Sequence, residues 1–145
     1  MPERKDPYRN SRFLLEIDGI IQAGFSEVTI PDIATDSIEY REGNEDTTVR
    51  KLPGLTKYGN LTLKWGITDS TELFEWRKQV IQGKTAEARK NIAVLLLDEG
   101  GNPAARWEFR EAWPVKYDAP DLNSMGKDVA IEAMEIAHEG MDRVQ

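Results

Sequence analysis

The 145-residue sequence contains no cysteine. Thiol nucleophiles, zinc–cysteine sites, iron–sulfur clusters and disulfides are excluded together. A single histidine, His138, rules out a cluster of imidazole ligands. No nucleophile-elbow pattern accompanies it, so His138 reads as a surface or interface residue of the last element. Long apolar runs are missing as well. The longest uninterrupted aliphatic stretch, Ile92–Leu97, is far too short to span a bilayer. The first ten residues, MPERKDPYRN, hold no apolar stretch, which predicts no secretory signal and exit from a cell by another route. Positive charge is in deficit: 19 Lys and Arg against 26 Asp and Glu leave a net charge of −7. That balance disfavours electrostatic capture of nucleic acid or an anionic membrane.

What is present is a globular composition, 39% hydrophobic and 31% charged, with a length suited to one domain over residues 1–145. Residues 1–11 read as a charged N-terminal arm, ordered only where something docks on it. Phe13, Leu15 and Ile17 alternate with Glu16 and Asp18, a half-buried strand, and Asp18-Gly19 is a hairpin turn signal. Ile20–Val28 is the returning strand, with Gly24 marking a bulge or a close approach. Asp36–Glu42 alternates again. A polar stretch from Gly43 to Asn60 reads as a long loop, functional or docked on a partner. Leu61, Leu63, Trp65 and Ile67 form the cleanest alternation.

The spacing predicts one helix over Asp69–Gln82, capped by Asp69 with Glu72 in the capping-box position. Leu73, Trp76 and Val80 make its buried stripe, Phe74 and Ile81 widen it, and Gly83 stops it. Ile92–Leu97 reads as a strand covered on both faces. Ala105, Trp107 and Phe109 alternate with Arg106, Glu108 and Arg110, and Pro114 breaks or edges that strand. Lys127–Gly140 fits helix and strand alike. About seven strands and one helix argue for a mostly-β sandwich or barrel with a covering helix.

Catalytic patterns are weak. Asp121, Asn123, Gly126 and Glu132 match positions of a calcium loop, but Met125 occupies a ligand position, so a polar turn is the better reading. Glu39, Glu42, Glu45 and Asp46 interleave with Arg41, Arg50 and Lys51; mixed signs in one loop suit docking against a mixed-sign surface. The Leu52–Gly59 segment lacks phosphate-loop spacing. No catalytic set, metal or cofactor is therefore expected. A charged arm, a long loop and exposed sheet edges suggest instead that edges are covered by further copies, closing into rings that stack.

The runs Asp6–Asn10, Phe13–Gly19, Ala23–Val28, Ile38–Asp46, Arg50–Leu63, Trp76-Arg77, Trp113–Tyr117 and Glu135–Gly140 resemble the phage tail tube family, which is akin to the ring protein of type VI secretion. The resemblance runs from about Asp6 to Gly140. It implies a β-barrel-like pair of sheets with one flanking helix, and a strand over Lys127–His138. It further implies hexameric rings stacked into a hollow tube within a contractile sheath. Such a tube assembles in the cytoplasm, meets sheath, baseplate and terminator proteins, and passes DNA or other cargo. The stacking residues so implied are Tyr8 and Arg9 of the arm, and Tyr40, Arg41, Glu42, Gly43, Asn44, Glu45, Asp46, Arg50, Lys51, Leu52, Pro53, Gly54 and Leu55 of a stacking loop over 41–59. In that loop Gly43 and Gly54 would supply conformations other residues resist. Glu72, Glu75, Arg77 and Lys78 would face a neighbour or the sheath. A specialised end ring and a monomeric ligand-binding barrel are the rival expectations.

Overall fold

The computed structural model describes residues 12–41, 43, 49–67, 71–122 and 130–145. In chain order the elements are β1 (Arg12–Ile17), β2 (Ile20–Phe25), β3 (Glu27–Thr29), β4 (Ile33–Tyr40), β5 (Arg50–Tyr58), β6 (Leu61–Gly66), α1 (Glu72–Ile81), α2 (Thr85–Ala88), β7 (Lys90–Leu97), β8 (Pro103–Asp118), β9 (Ile131–Ala137) and β10 (Gly140–Arg143). Eight strands form one sheet in the order β2-β1-β7-β8-β9-β6-β3, with β10 also paired to β8; β4 and β5 form a separate two-stranded sheet.

Alternation sets the faces. Phe13, Leu15 and Ile17 lie opposite Leu96, Val94 and Ile92 in the β1–β7 ladder, and their other faces carry Arg12, Leu14 and Glu16. From the other half of the sheet, Leu61 and Leu63 of β6 stand opposite Ile136 and Met134 of β9. Apart from Leu96, these inward residues meet in one core that includes Leu73 and Trp76 of α1. Asp18 and Gly19 make the expected turn, both with positive φ.

The eight-stranded sheet bends within single strands. β8 pairs with β7 and β10 along its first part and with β9 along Trp113–Asp118. Just before the changeover sits Glu111, in the β7–β8 register shift between Phe109 and Ala112, with φ +50°. The stretch from β2 to β3 likewise pairs with β1 before Ser26 and with β6 after it. Ser26 donates both its backbone N–H and its hydroxyl to Lys64 O, at 3.0 and 3.1 Å. The result is two sheet halves sharing a core, without a closed barrel among the described residues. Because a left-handed conformation costs a side-chain-bearing residue about 1–2 kcal/mol, the exposed Glu111 is strained. Glu111→Gly is expected to stabilise the fold by ~1 kcal/mol in a chemical denaturation series.

Several sequence expectations need correction. The polar stretch read as a loop is largely strand, since β5 spans Arg50–Tyr58. The returning strand breaks at Ser26, and the β1–β2 irregularity falls between Ala23 and Ile21 rather than at Gly24. Pro114 does not end β8. The β7 ladder has finished by Ala112, and the β9 register shifts just after Pro114, so the missing N–H interrupts no regular pairing there. Two helices, not one, are present among the described residues. The first starts at Glu72 after Thr71, so Glu72 is its first residue and not a capping-box partner; Asp69 lies outside the described residues. Phe74 and Ile81 are exposed and leave the buried stripe to Leu73 and Trp76.

The C-terminal stop of α1 is as expected. Gly83, at φ +80°, donates to Val80 O while Lys84 N–H reaches Gln79 O at 2.9 Å, satisfying the last carbonyls. α2 then turns back, and Trp76 Nε1 donates to Ala88 O at 2.6 Å. Of the ambiguous segment Lys127–Gly140, β9 shows Ile131–Ala137 to be strand, while residues 127–129 lie outside the described residues.

Candidate assembly surfaces

The β4–β5 hairpin holds its contacts mostly within itself. It is zipped from Ile33 opposite Tyr58 to Tyr40 opposite Arg50. A bulge sets Gly54 and Leu55 of β5 against Asp36 of β4, and it accommodates Pro53 beside it. Thr35 and Thr56 hydroxyls bond across the pair at 3.0 Å, and Lys57 pairs with Asp36 at 3.8 Å. Gly54 does not adopt the left-handed conformation expected of it, and neither does Gly43. Its role is space: a Cβ there would lie 3.0 Å from the Ile38 side chain.

Register shows what the hairpin presents. Ile38 lies opposite Leu52 and Tyr40 opposite Arg50 on one face, while Glu39 and Lys51 stand opposite each other on the reverse face. Ile38, Tyr40, Leu52 and Leu55 are 52%, 45%, 47% and 66% exposed. Apolar side chains held this open on a two-stranded ribbon bury little within their own chain. Of the predicted stacking residues, the structure therefore brings together Tyr40, Arg50, Lys51, Leu52, Pro53, Gly54 and Leu55, with Arg41 and Gly43 just beyond β4. Tyr8, Arg9, Glu42, Asn44, Glu45 and Asp46 lie outside the described residues. Ile38, a central residue of this apolar face, was missed; its alternation in Asp36–Glu42 was the available signal.

The helix offers a second surface. Of the helix residues expected to face a neighbour or the sheath, Glu72, Glu75 and Lys78 are exposed and Arg77 is half-buried. Phe74 and Ile81, seven apart, share an outward stripe with Lys78. A cleft of about 420 Å³ runs beside α1, lined by Ile17, Asp18, Glu72, Glu75, Gln79 and Lys90 among others. Gln79 Oε1 faces no donor among the described residues.

The outer face of the β1-β7-β8 ladder is ionic. Arg106 Nη1 donates to Glu16 Oε2 at 2.6 Å and Arg106 Nε to Glu108 Oε1 at 3.0 Å. Since Arg106 and Glu16 stand on the strands flanking β7, their bond passes over Ala93 and Leu95. This accounts for the burial of β7 on both faces. Hydrogen bonding to Glu16, then to Glu108, raises the Arg106 pKa further, so the guanidinium is charged throughout.

The buried Glu132 pairs with the half-buried Tyr117. Tyr117 donates its hydroxyl to Glu132 Oε2, and its ring meets Phe74 edge-on at 5.2 Å. Glu132 is 8% exposed and so is engaged here; Asn123 and Gly126 of the calcium-like spacing lie outside the described residues. No group of three metal-ligating side chains occurs among the described residues. Burial, then the bond to Glu132, pushes the Tyr117 pKa up to about 12. An unperturbed tyrosine ionises near pH ~10. The folded state thus keeps a proton that the unfolded state loses, so this stabilisation is whole below pH ~10 and disappears as pH rises through about 12. The thermal midpoint is expected to fall more steeply between those pH values in the parent chain than in Tyr117→Phe.

Residues 9–142 match the family described as T4-like virus tail tube protein gp19. The chain belongs to this tail tube family. No curated protein matches it in sequence. Among solved structures, this tail tube protein is similar to a chain of the anti-feeding prophage baseplate, at 22% identity, TM-score 0.77 and 97% coverage of both chains. A chain of the PVC sheath-tube complex in its extended state shares 24% identity over 94% of this chain and 90% of that one, with TM-score 0.76. Hcp1 from Flavobacterium johnsoniae, at 22% identity and TM-score 0.56 over 92% and 94%, is similar in fold. The tail tube protein is thus a structural tube subunit by family, with the mostly-β, helix-flanked fold its sequence predicted. Among the described residues no helix is long and apolar enough to cross a membrane.

Proposed function

We propose that copies of this tail tube protein close into hexameric rings and stack into the hollow inner tube of a contractile particle. Rings join edge to edge through backbone hydrogen bonds along unpaired strand margins. They stack through the arm over residues 1–11 and the β4–β5 hairpin. In the hairpin, Ile38, Leu52 and Leu55 supply apolar contact, and Arg41, Glu42, Glu45, Asp46, Arg50 and Lys51 set register between rings. Glu72, Glu75 and Lys78 present a charged helix face to a neighbour or to the sheath. Polar contact of this kind holds the sheath weakly enough for it to slide while the tube stays intact. Baseplate and terminator proteins cap the ends, DNA or another cargo travels the lumen, and assembly takes place in the cytoplasm before release of the particle.

The observation that carries this reading is the hairpin that stands apart with five large apolar residues, Ile33, Ile38, Tyr40, Leu52 and Leu55, open to solvent. Size-exclusion chromatography and negative-stain microscopy of the purified chain, with and without its sheath, test it. Annular or filamentous species are expected at high concentration. A chain that stays a single copy under every condition would favour a monomeric binding protein instead.

A further inference from the structure

The tripeptide His138-Glu139-Gly140 lies where β9 passes into β10, and all three residues touch β8. His138 Nε2 lies 2.9 Å from Gly59 O, at the base of the hairpin. A carbonyl only accepts, so Nε2 carries the proton and donates it. The ring stands edge-on to Tyr58 of β5 at 5.7 Å and to Phe109 of β8 at 5.0 Å. Nδ1 is buried without a partner among the described residues, so Nε2 makes the ring's one hydrogen bond described there. Glu139 pairs with Arg89, just after α2, at 2.7 Å, and its N–H donates to Arg110 O at 2.9 Å. Gly140 lies against the Arg110 guanidinium so closely that a Cβ would collide with it.

We propose that His138 is the positioning residue that fixes the angle at which the β4–β5 hairpin leaves the body, with Glu139 and Gly140 holding its ring in place. The bond from Gly59 N–H to Asp32 O, 3.0 Å, closes the hairpin base on itself and cannot orient it. The His138 contacts instead cross from that base to β8 and β9. An isolated two-stranded ribbon is marginally stable in water, so the order of the hairpin depends on its fastenings to the body. Beside the His138 contacts, Asn60 Nδ2 donates to Glu135 Oε1 of β9 at 2.7 Å, but it does not reach β8. The inference rests on reading the hairpin as the stacking element only for its consequence in assembly.

The test is amide hydrogen exchange on dilute, unassembled protein for His138→Ala and for His138→Phe, which keeps a ring but no donor. Exchange within β4 and β5 is expected to quicken at least tenfold in both variants, with β7 and β9 unchanged. Hairpin exchange at the parental rate in both, or equal acceleration throughout the core, would overturn the proposal. Faster hairpin exchange with normal tube yield would leave the fastening standing and remove the stacking role.

Discussion

Leu52→Asp is expected to abolish tube formation while leaving the chain folded. Leu52 is 47% exposed in the single chain and lies opposite Ile38 on a ribbon that packs mainly on itself. A substitution at such a position moves the stability of a monomer by about 0.5 kcal/mol or less. In a stacked ring the same side chain would be enclosed. A carboxylate buried there without a partner costs roughly 3–5 kcal/mol, and each ~1.4 kcal/mol is a factor of ten in the association constant. The concentration needed for assembly should therefore rise at least a hundredfold. Sedimentation across a concentration series measures this, with thermal denaturation as the check on folding. Long tubes at normal yield from folded Leu52→Asp would remove the hairpin from the stacking surface.

Trp76→Ala is expected to be the most destabilising single change among the core residues of the helix. Trp76 is 5% exposed, packs in the shared core and donates its indole N–H to Ala88 O at 2.6 Å. Truncating a buried aromatic costs about 3–5 kcal/mol through lost transfer energy and the cavity left behind. The Ala88 carbonyl, on a residue with no exposed surface, also loses its donor. For a chain of this size the thermal midpoint should drop by roughly 10 °C or more. Trp76→Phe keeps the ring and loses the donor, so it should fall between parent and Ala. A midpoint for Trp76→Ala within about 2 °C of the parent would show that α1 is not part of the load-bearing core.

Both predictions depend on features that were unequally visible before the fold was known. β1, β6, β7 and the first part of β8 were legible because each buries one face or both. Leu15, Leu61, Leu63, Val94 and Phe109 consequently stand out at regular spacing. β5 was not legible, although it is nine residues long. Unlike β4, where Ile38 and Tyr40 alternate, β5 has its aliphatic residues Leu52 and Leu55 three apart, out of strand period, and Pro53, Gly54 and Gly59 are turn residues to any local reading. Pairing with β4 and the bulge at Gly54 are tertiary facts. Phe74 and Ile81 misled in the opposite direction: their helical spacing reads as burial, yet they face outward. α2 has only four residues, too few for periodicity to register. The tail tube resemblance supplied what periodicity withheld for the last segment, where β9 is indeed a strand. The resembling run Glu135–Gly140 gave no sign of what His138-Glu139-Gly140 touches. Those contacts are visible only when Gly59, Arg89 and Arg110 are brought from distant parts of the chain to one corner.

The continuous passage of backbone through Ser26 and through Glu111 has a mechanical consequence. Two layers glued only by side-chain packing could slip past one another under a longitudinal thrust, because dispersion contacts resist sideways displacement poorly. Here any such slip would stretch covalent chain at two separate seams. A piston built from these units would transmit force as a stiff column, and its weak planes would lie between neighbouring copies, not inside one.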